Sequence, residues 1–229
     1  MKYSIMSNSI LFTQCLQNDY VKPIGKYDQL PNLNHIGYEE SKRLMGLNPS
    51  EGPVNYMMKW AYDQPDEELE IIHLRDWHEA DDPDQKTHLE TIGMHCIAGT
   101  EGAKFAFGLE SYPRMATILE SRLLNDFIDT ELADILKPFE GKKVRVGIMG
   151  VWTEAKVSFL AYDLASRYPN FEIAICSALT AGSSLANHYH ALDHLQKILG
   201  VKIIHSIGEF IKFLATDPSK TEVELDVKS

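Results

Sequence analysis

The stretch VRVGIMGVWTEAKVSFLAYDLA, from Val144 to Ala165, contains the change of pattern that decides the fold. Its first part, Val144–Met149, is a short run of mostly aliphatic residues, which is typical of a strand buried on both faces of a sheet. From Glu154 onward the apolar residues recur with helical spacing, which predicts a helix over 154–168. A buried strand followed directly by a helix is the repeating unit of a parallel α/β sheet.

The same alternation continues along the chain. Five further segments are short, apolar and bounded by turn residues, which predicts buried strands at Ser9–Gln14, Glu70–Leu74, Ala116–Leu119, Glu172–Cys176 and Lys202–Ile204. Helical periodicity lies between them, at His35–Trp60, Asp129–Leu136, Ser184–Leu199 and Ile207–Leu214. This alternation predicts one doubly wound, mainly parallel six-stranded α/β domain with helices on both faces, over residues 1–215. Residues 216–229 are predicted to form a polar tail.

Composition limits the classes of function. The 229 residues include 22 Lys plus Arg and 33 Asp plus Glu, so the net charge is −11. No basic run compensates for this charge, which argues against a nucleic-acid partner. Three cysteines are too few for a disulfide framework, and the sequence contains no signal-peptide core and no long apolar span. We therefore expect a cytoplasmic protein with reduced thiols and no membrane association.

In open parallel sheets ligands bind beyond the carboxyl ends of the strands. The residues that directly follow the first four predicted strands are therefore expected to meet in one pocket, and they include Cys15, Asp76, Trp77, His78, Ser121, Arg122 and Val151–Thr153. Trp77 and Trp152 could form the walls of a pocket for a flat ring, although core packing is the commoner fate of a tryptophan. A cysteine such as Cys15 is, taken alone, most often a small buried apolar residue.

A metal site is a second hypothesis for this edge of the sheet. Asp76 and His78 occupy alternate positions, and GMHCIAGTEGAKF supplies His95. One carboxylate and two imidazoles could hold Zn, Fe or Mn with open positions for water or substrate. His88 or Asp84 could add a fourth contact. By spacing alone, an Asp-Trp-His sequence is usually a loop with solvated polar groups.

Four motifs carry a resemblance to a known family: FTQCLQNDYV, IIHLRDWHEADD, MHCIAGTEGAKF and VRVGIMGVWTEAKVSFLAYDLA. Together they resemble the isochorismatase-like cysteine hydrolases, and most of all the nicotinamidase branch, from about Ser9 to about Ile204. The resemblance implies strand order 3-2-1-4-5-6, a cis peptide between Val151 and Trp152, and an oxyanion-type loop of Val151, Trp152 and Lys156. It also implies a divalent metal on Asp76, His78 and His95 and a small-molecule ligand such as a carboxylate or an aromatic amide. Because the family often forms dimers and larger assemblies, a homo-oligomer is expected as well.

The chain departs from this family at all three positions of its catalytic triad. The family has an Asp at the end of the first strand, a Lys after the third and a Cys at the start of the helix after the fourth. The corresponding residues here are Cys15, Ser121 (or its neighbour Arg122) and Lys156. Acyl transfer by the family route needs a thiolate and an adjacent base, so the substitutions imply its loss.

Two interpretations of function remain open on the sequence. In the first, the protein is a catalytically inactive member that binds a small ligand or a partner. In the second, it is a divergent hydrolase of a small amide or similar C–N or ester substrate. Cys15 would then be the nucleophile, and Lys156 would lower its thiol pKa. We favour the first because no general base is evident.

Two expectations concern side chains near these positions. Lys156, in the first turn of a predicted helix, would oppose the helix dipole by up to about 1 kcal/mol. Its side chain is expected either to extend into water or to be buried with a lowered pKa. In the second case it would be an amine able to form a Schiff base or a cation that binds a carboxylate ligand. The histidines at 188, 190 and 194 are expected on a helix surface or interface.

Overall fold

The computed structural model describes residues 8–112 and 114–215. Residues 1–7 of the predicted domain and the predicted polar tail, 216–229, lie outside this part of the chain. The described strands are β1 (Ser9–Gln14), β2 (Leu69–Asp76), β3 (Thr117–Ser121), β4 (Val144–Val151), β5 (Phe171–Ala181) and β6 (Lys202–Ile204). They form one six-stranded sheet in the order β3-β2-β1-β4-β5-β6, and every neighbouring pair is parallel. The predicted fold and strand order are confirmed.

The described helices are α1 (Asn18–Val21), α2 (Gly37–Met45), α3 (Pro53–Tyr62), α4 (Lys86–Ile92), α5 (Leu132–Leu136), α6 (Ser158–Arg167), α7 (Leu185–Leu199) and α8 (Ile207–Ala215). The prediction of one helix over His35–Trp60 was wrong. Gly46, with φ of 72°, ends α2 in a conformation that glycine adopts readily, and Pro53 begins α3. Among the described helices, none is both long and apolar enough to cross a bilayer.

The core has two layers because successive strand residues point to opposite faces of the sheet. Ile10 and Phe12 of β1 face the layer that contains α5, α6 and α7, whereas Leu11 faces the layer that contains α2, α3 and α8. All three side chains are fully buried. A sheet covered on both faces leaves its carboxyl edge as the place for a ligand.

At this edge β1 and β4 approach each other closely. Gly150, near the end of β4, has φ of 123°, and a Cβ atom there would lie 2.0 Å from the carbonyl oxygen of Gln14. The peptide bond between Val151 and Trp152 is cis, as the resemblance implies. The next residues, Thr153–Val157, form a π-type turn with a non-helical Ala155, so α6 begins at Ser158 and not at the predicted Glu154.

Candidate functional site

A cavity of about 210 Å³ lies at the carboxyl edge of the sheet. Cys15, Asp76, Trp152 and Lys156 line it together with Tyr20 and His95. The three chain segments that carry these predicted residues therefore meet, as the strand-end argument predicts. Trp77 is not one of the described residues that line the cavity. It follows Asp76 directly and is oriented differently, with the guanidinium of Arg75 stacked 3.9 Å from its ring centroid.

The polar residues after β1 form hydrogen bonds to neighbouring segments that line the cavity. The side chain of Gln17 donates to the carbonyl oxygen of Asp76 (2.7 Å) and accepts from the Asp76 backbone N–H (2.8 Å). Asp19 accepts a hydrogen bond from the backbone N–H of Cys96 (2.7 Å) and so holds the segment that carries His95. These contacts fix the end of β2 and the His95 segment relative to β1.

Lys156 is buried, with 5% of its surface exposed. Its ammonium group donates hydrogen bonds to the carbonyl oxygen of Leu123 (2.7 Å), to Oδ1 of Asp126 (2.8 Å) and to Oγ of Ser121 (3.1 Å). It also forms an ion pair of 2.7 Å with Oδ1 of Asp76. The expectation that this side chain extends into water was wrong, because two buried carboxylates hold it inside.

The same contacts determine the charge states in the cluster. Burial alone would lower the pKa of Lys156, but Asp76 and Asp126 together raise it above its ordinary value. The predicted lowering of this pKa was therefore wrong as well. Burial would raise the pKa of Asp76, but Lys156 and a hydrogen bond from Tyr20 lower it to about 2. Burial raises the pKa of Asp126 despite the nearby ammonium. Lys156 is thus a fixed cation with two acidic partners.

Cys15 lies in the left-handed region of backbone conformation, with φ of 49°, and is 1% exposed. Burial and the carboxylate of Asp76 raise the pKa of its thiol, and the opposing effect of Lys156 is smaller. Its sulfur accepts a hydrogen bond from Nε2 of Gln14 (3.3 Å). The thiol is therefore held in its neutral form, since Lys156 is already neutralised by the acids beside it.

Sequence reasoning missed Asp126, which is buried and pairs with Lys156. The one available signal was its place in the loop after β3, where SRLLNDF follows the predicted strand. A buried ammonium needs carboxylate partners, so the position of Lys156 should have prompted a search for them. Ser121, one of the two residues that the resemblance aligns with the family lysine, lies within hydrogen-bonding distance of the Lys156 amine.

The histidines predicted as metal ligands also come together. Nε2 of His78 and Nε2 of His95 lie 3.9 and 3.8 Å from Oδ2 of Asp76. Of the two residues considered as a fourth contact, Asp84 is exposed. His88 is close to the other histidines: one ligand atom from each of His78, His88 and His95 lies within 4.8 Å of the others. Nε2 of His78 is buried and has no hydrogen-bond partner in the described part of the chain. A buried ring nitrogen without a hydrogen-bond partner, beside two more imidazoles, is a suitable set of ligands for a divalent metal ion.

The late histidines differ from one another in burial. His188 is 2% exposed, and its Nδ1 lies 2.7 Å from Oγ1 of Thr153, so of the two expected places, a helix surface or an interface, the surface is excluded for this residue. This contact ties α7 to the turn that carries Lys156. His190 and His194 are exposed on α7, as predicted.

Comparison with known structures supports the fold. The nicotinamidase/pyrazinamidase from Bacillus subtilis has 18% identity and a TM-score of 0.67, over 86% of this chain and 100% of that chain. The pyrazinamidase of Pyrococcus horikoshii in complex with zinc has 23% identity and a TM-score of 0.65, over 87% and 99%. N-carbamoylsarcosine amidase from Thermoplasma acidophilum has 19% identity and a TM-score of 0.61, over 87% and 97%. At such identities the likeness establishes the fold alone.

Comparison with curated protein sequences finds no match. A family model described as the isochorismatase domain matches residues 54–206, which is more than half of the chain. The matched region begins after β1, so it contains the positions of Ser121 and Lys156 but not that of Cys15. With the sheet order and the four motifs in agreement with this match, the chain belongs to the isochorismatase domain family.

Proposed function

We propose that this protein is a catalytically inactive member of its family that binds a small molecule in the strand-end cavity. The observation that carries the proposal is the position of the Lys156 ammonium, which is bonded to Leu123, Asp126 and Ser121 and paired with Asp76. A protonated amine has no lone pair with which to attack a carbonyl group. A fixed cation therefore occupies the position where the family has a nucleophile.

The alternative, a divergent hydrolase, requires Cys15 to act as a thiolate. Its neighbours oppose this role, because burial and Asp76 raise the thiol pKa. Asp76 and Asp126 are the nearby carboxylates that could serve as a base, and both are engaged with Lys156. The alternative is less well supported for this reason.

The chemistry of the cavity favours a neutral ligand over the carboxylate considered from the sequence. Lys156 has two acidic partners, so the cluster offers no surplus positive charge for a carboxylate. Trp152 and Phe159 contribute aromatic surface, and Asn34 contributes an amide that can donate and accept hydrogen bonds. A small aromatic amide suits this combination. A divalent metal in the histidine cluster would supply a Lewis acid for a carbonyl or ring nitrogen.

Thiol labelling combined with a hydrolysis assay tests the proposal. Cys15 should resist iodoacetamide between pH 6 and pH 9, as judged by mass spectrometry of the labelled peptide. Nicotinamide, pyrazinamide and isochorismate should not be hydrolysed above background, with a nicotinamidase as the positive control. Turnover that disappears in Cys15→Ala would support the hydrolase instead, and turnover that survives this substitution would contradict both interpretations.

The proposal also includes a homo-oligomeric state and a cytoplasmic location. A homo-oligomer is supported by exposed apolar side chains on α6 and α7, among them Tyr162, Tyr189 and Ile198. Light scattering coupled to size-exclusion chromatography measures the mass directly, and a monomer at micromolar concentration would contradict the proposed homo-oligomer.

A cytoplasmic location is proposed from the cysteine usage of the sequence.

A further inference from the structure

The segment of residues 22–36, between α1 and α2, places one buried asparagine at the strand-end cavity. Asn34 is 4% exposed and lines the cavity together with Ile92, the last residue of α4. This segment lies outside the four motifs that carry the family resemblance. The cavity thus contains a polar side chain that those motifs do not supply.

The hydrogen bond of the Asn34 side chain fixes the direction of its amide group. Nδ2 donates to the carbonyl oxygen of Ile92 at 3.2 Å. A carbonyl oxygen only accepts, so the NH2 group faces Ile92 and Oδ1 points away from it. Within the described part of the chain, Oδ1 accepts no hydrogen bond, and it is not enclosed by the protein. Asn34 therefore offers a free acceptor where it lines the cavity.

Neighbouring side chains hold Asn34 in this position. Oδ1 of Asn32 accepts a hydrogen bond from the backbone N–H of Asn34 (2.7 Å), and Nδ2 of Asn32 donates to the carbonyl oxygen of Asp19 (3.0 Å). The buried ring of His35 connects the two ends of the segment, with Nε2 2.8 Å from the carbonyl oxygen of Lys22. A polar group that is fixed before binding loses little conformational entropy when a ligand binds.

The charged residues of the cavity also favour a ligand that donates hydrogen bonds. The carboxylate of Asp76 accepts from the hydroxyl of Tyr20 and pairs with Lys156. The ammonium group of Lys156 has three protons, and four acceptors already surround them. A ligand therefore meets accepting oxygens on Asn34 and Asp76, while the protons of Lys156 are already engaged.

We propose that Asn34 is a specificity-determining residue of the cavity and that its Oδ1 atom accepts an N–H group of the ligand. The ligand class that fits is a small primary amide, whose NH2 group donates to Asn34. A methyl ketone of the same shape lacks this donor, and a carboxylate would place an anionic oxygen against an oxygen that only accepts. The inference rests on the proposed function, because it requires a small molecule in the strand-end cavity.

Binding of matched ligand pairs tests this role without an activity assay. Each aromatic primary amide is compared with its methyl ketone, in which a methyl group replaces the NH2 group: nicotinamide with 3-acetylpyridine, pyrazinamide with acetylpyrazine, and benzamide with acetophenone. Ligand-observed NMR measures the dissociation constants for the wild type, for Asn34→Leu and for Asn34→Asp. Asn170→Leu, at an exposed asparagine before β5, is the matched control.

The expected result is a preference for the amide that depends on an accepting atom at position 34. The wild type and Asn170→Leu should bind at least one amide about 10-fold or more tightly than its ketone, because the ketone leaves Oδ1 unpaired. Asn34→Leu should bind the two members of that pair within about 3-fold of each other. Asn34→Asp keeps an accepting oxygen and loses the donor to Ile92, so it should retain the preference.

The comparison of amide with ketone separates recognition from a structural role. If Asn34 only connects its segment to α4, Asn34→Leu weakens both ligands equally and the wild-type preference persists, which overturns the inference. Equal binding of amide and ketone by the wild type overturns it too and leaves the proposed function intact. A wild type that binds none of the six compounds contradicts both. If circular dichroism finds Asn34→Leu unfolded, Asn34→Asp decides alone, and loss of its amide preference contradicts the inference.

Discussion

Nζ of Lys156 lies 2.7 Å from Oδ1 of Asp76, so the buried ammonium group neutralises the carboxylate at the end of β2. The same ammonium group also donates a hydrogen bond to Oγ of Ser121. In the proposed alignment with the family triad, Ser121 and Lys156 are two of the three altered positions. Residues 121 and 156 therefore interact through one buried ammonium group.

Removal of this ammonium should destabilise the protein. Lys156→Met leaves Asp76 and Asp126 buried together without a cation, and loss of one partner of a buried ion pair costs about 3–5 kcal/mol. The helix-dipole argument from the sequence predicts the opposite sign, but Lys156 precedes α6 and has two acidic partners. Urea unfolding measures the free energy.

The matched control for this variant is Lys197→Met, which removes an exposed ion pair to Asp193 and should cost less than about 1 kcal/mol. Lys156→Met combined with Asp126→Asn should recover part of the loss, because one uncompensated carboxylate is removed. A Lys156→Met variant as stable as the control would show that the ammonium group does not stabilise the two buried carboxylates.

Restoration of the triad tests whether the scaffold still places the three positions as the family does. The triple variant contains a base from Cys15→Asp, a nucleophile from Lys156→Cys and a cation from Ser121→Lys. The lysine introduced at position 121 has Asp76 and Asp126 near it, so the triple variant should be more stable than Lys156→Cys alone. The new thiol should be alkylated faster than the buried Cys96 and Cys176, and a small amide should be hydrolysed.

The control for the restored site is Cys15→Asp with Lys156→Cys, without the lysine, which should remain less stable and less active. A triple variant that folds, contains no reactive thiol and hydrolyses nothing would argue against the alignment of these positions with the family triad.

Stability should fall in acid through His73. This ring is fully buried in β2, between the hydroxyl of Tyr62 (2.8 Å) and Oγ1 of Thr13 (2.6 Å), and burial lowers its pKa to about 3. The unfolded chain binds a proton below about pH 6.5, whereas the folded chain does not until about pH 3. The free energy of unfolding should thus rise with pH across this window, by up to about 1.4 kcal/mol per unit from this group.

Urea titrations at several pH values in His73→Gln and in His194→Gln, an exposed control on α7, isolate this contribution. The pH profile should flatten between pH 3 and pH 6.5 in His73→Gln only. Parallel profiles for wild type and His73→Gln would show that the ring is already protonated in the folded state.

Gly150→Ala should disrupt the carboxyl edge of the sheet. The new Cβ would lie 2.0 Å from the carbonyl oxygen of Gln14, and the backbone of β1 cannot retreat without breaking its pairing with β2 or β4. A loss above about 4 kcal/mol, or failure to fold, is expected. Gly208→Ala in α8 is the control, because it has nothing within 4 Å and should gain about 0.5–1 kcal/mol. Equal melting temperatures of Gly150→Ala and Gly208→Ala would contradict this prediction.

Much of the fold could be predicted because its cause is local. Val144–Met149 is mostly aliphatic and Ser9–Gln14 contains the continuous apolar run Ile10–Phe12, and a sheet covered on both faces buries such strands. The break between α2 and α3 could have been predicted from Gly46, Gly52 and Pro53, and was missed because the apolar periodicity continues across them. The short helix α4 was missed because it buries one residue, Leu89, and so has little periodicity.

The candidate site was predictable in its positions but not in its contacts. Strand ends identify Cys15 and Asp76 as neighbours, since parallel strands end at one edge of the sheet, and the family resemblance adds Lys156 to them. The same argument predicted Trp77 in the pocket, but the adjacent Asp76 is the residue that lines the cavity. Asp126 and His88 come from a loop and from a short helix, and no periodic pattern relates them to the strand ends.

The sequence by itself determined the sheet, its order and the family, because strand burial and motif spacing are properties of short segments. Only the tertiary structure decided the contacts and charge states of the candidate site. Whether Lys156 is a free amine, a cation in water or a buried cation depends on the distances to Asp76 and Asp126, which lie 80 and 30 residues away along the chain. Electrostatic free energy depends on separation and burial in space, and the fold brings these charges within 3 Å.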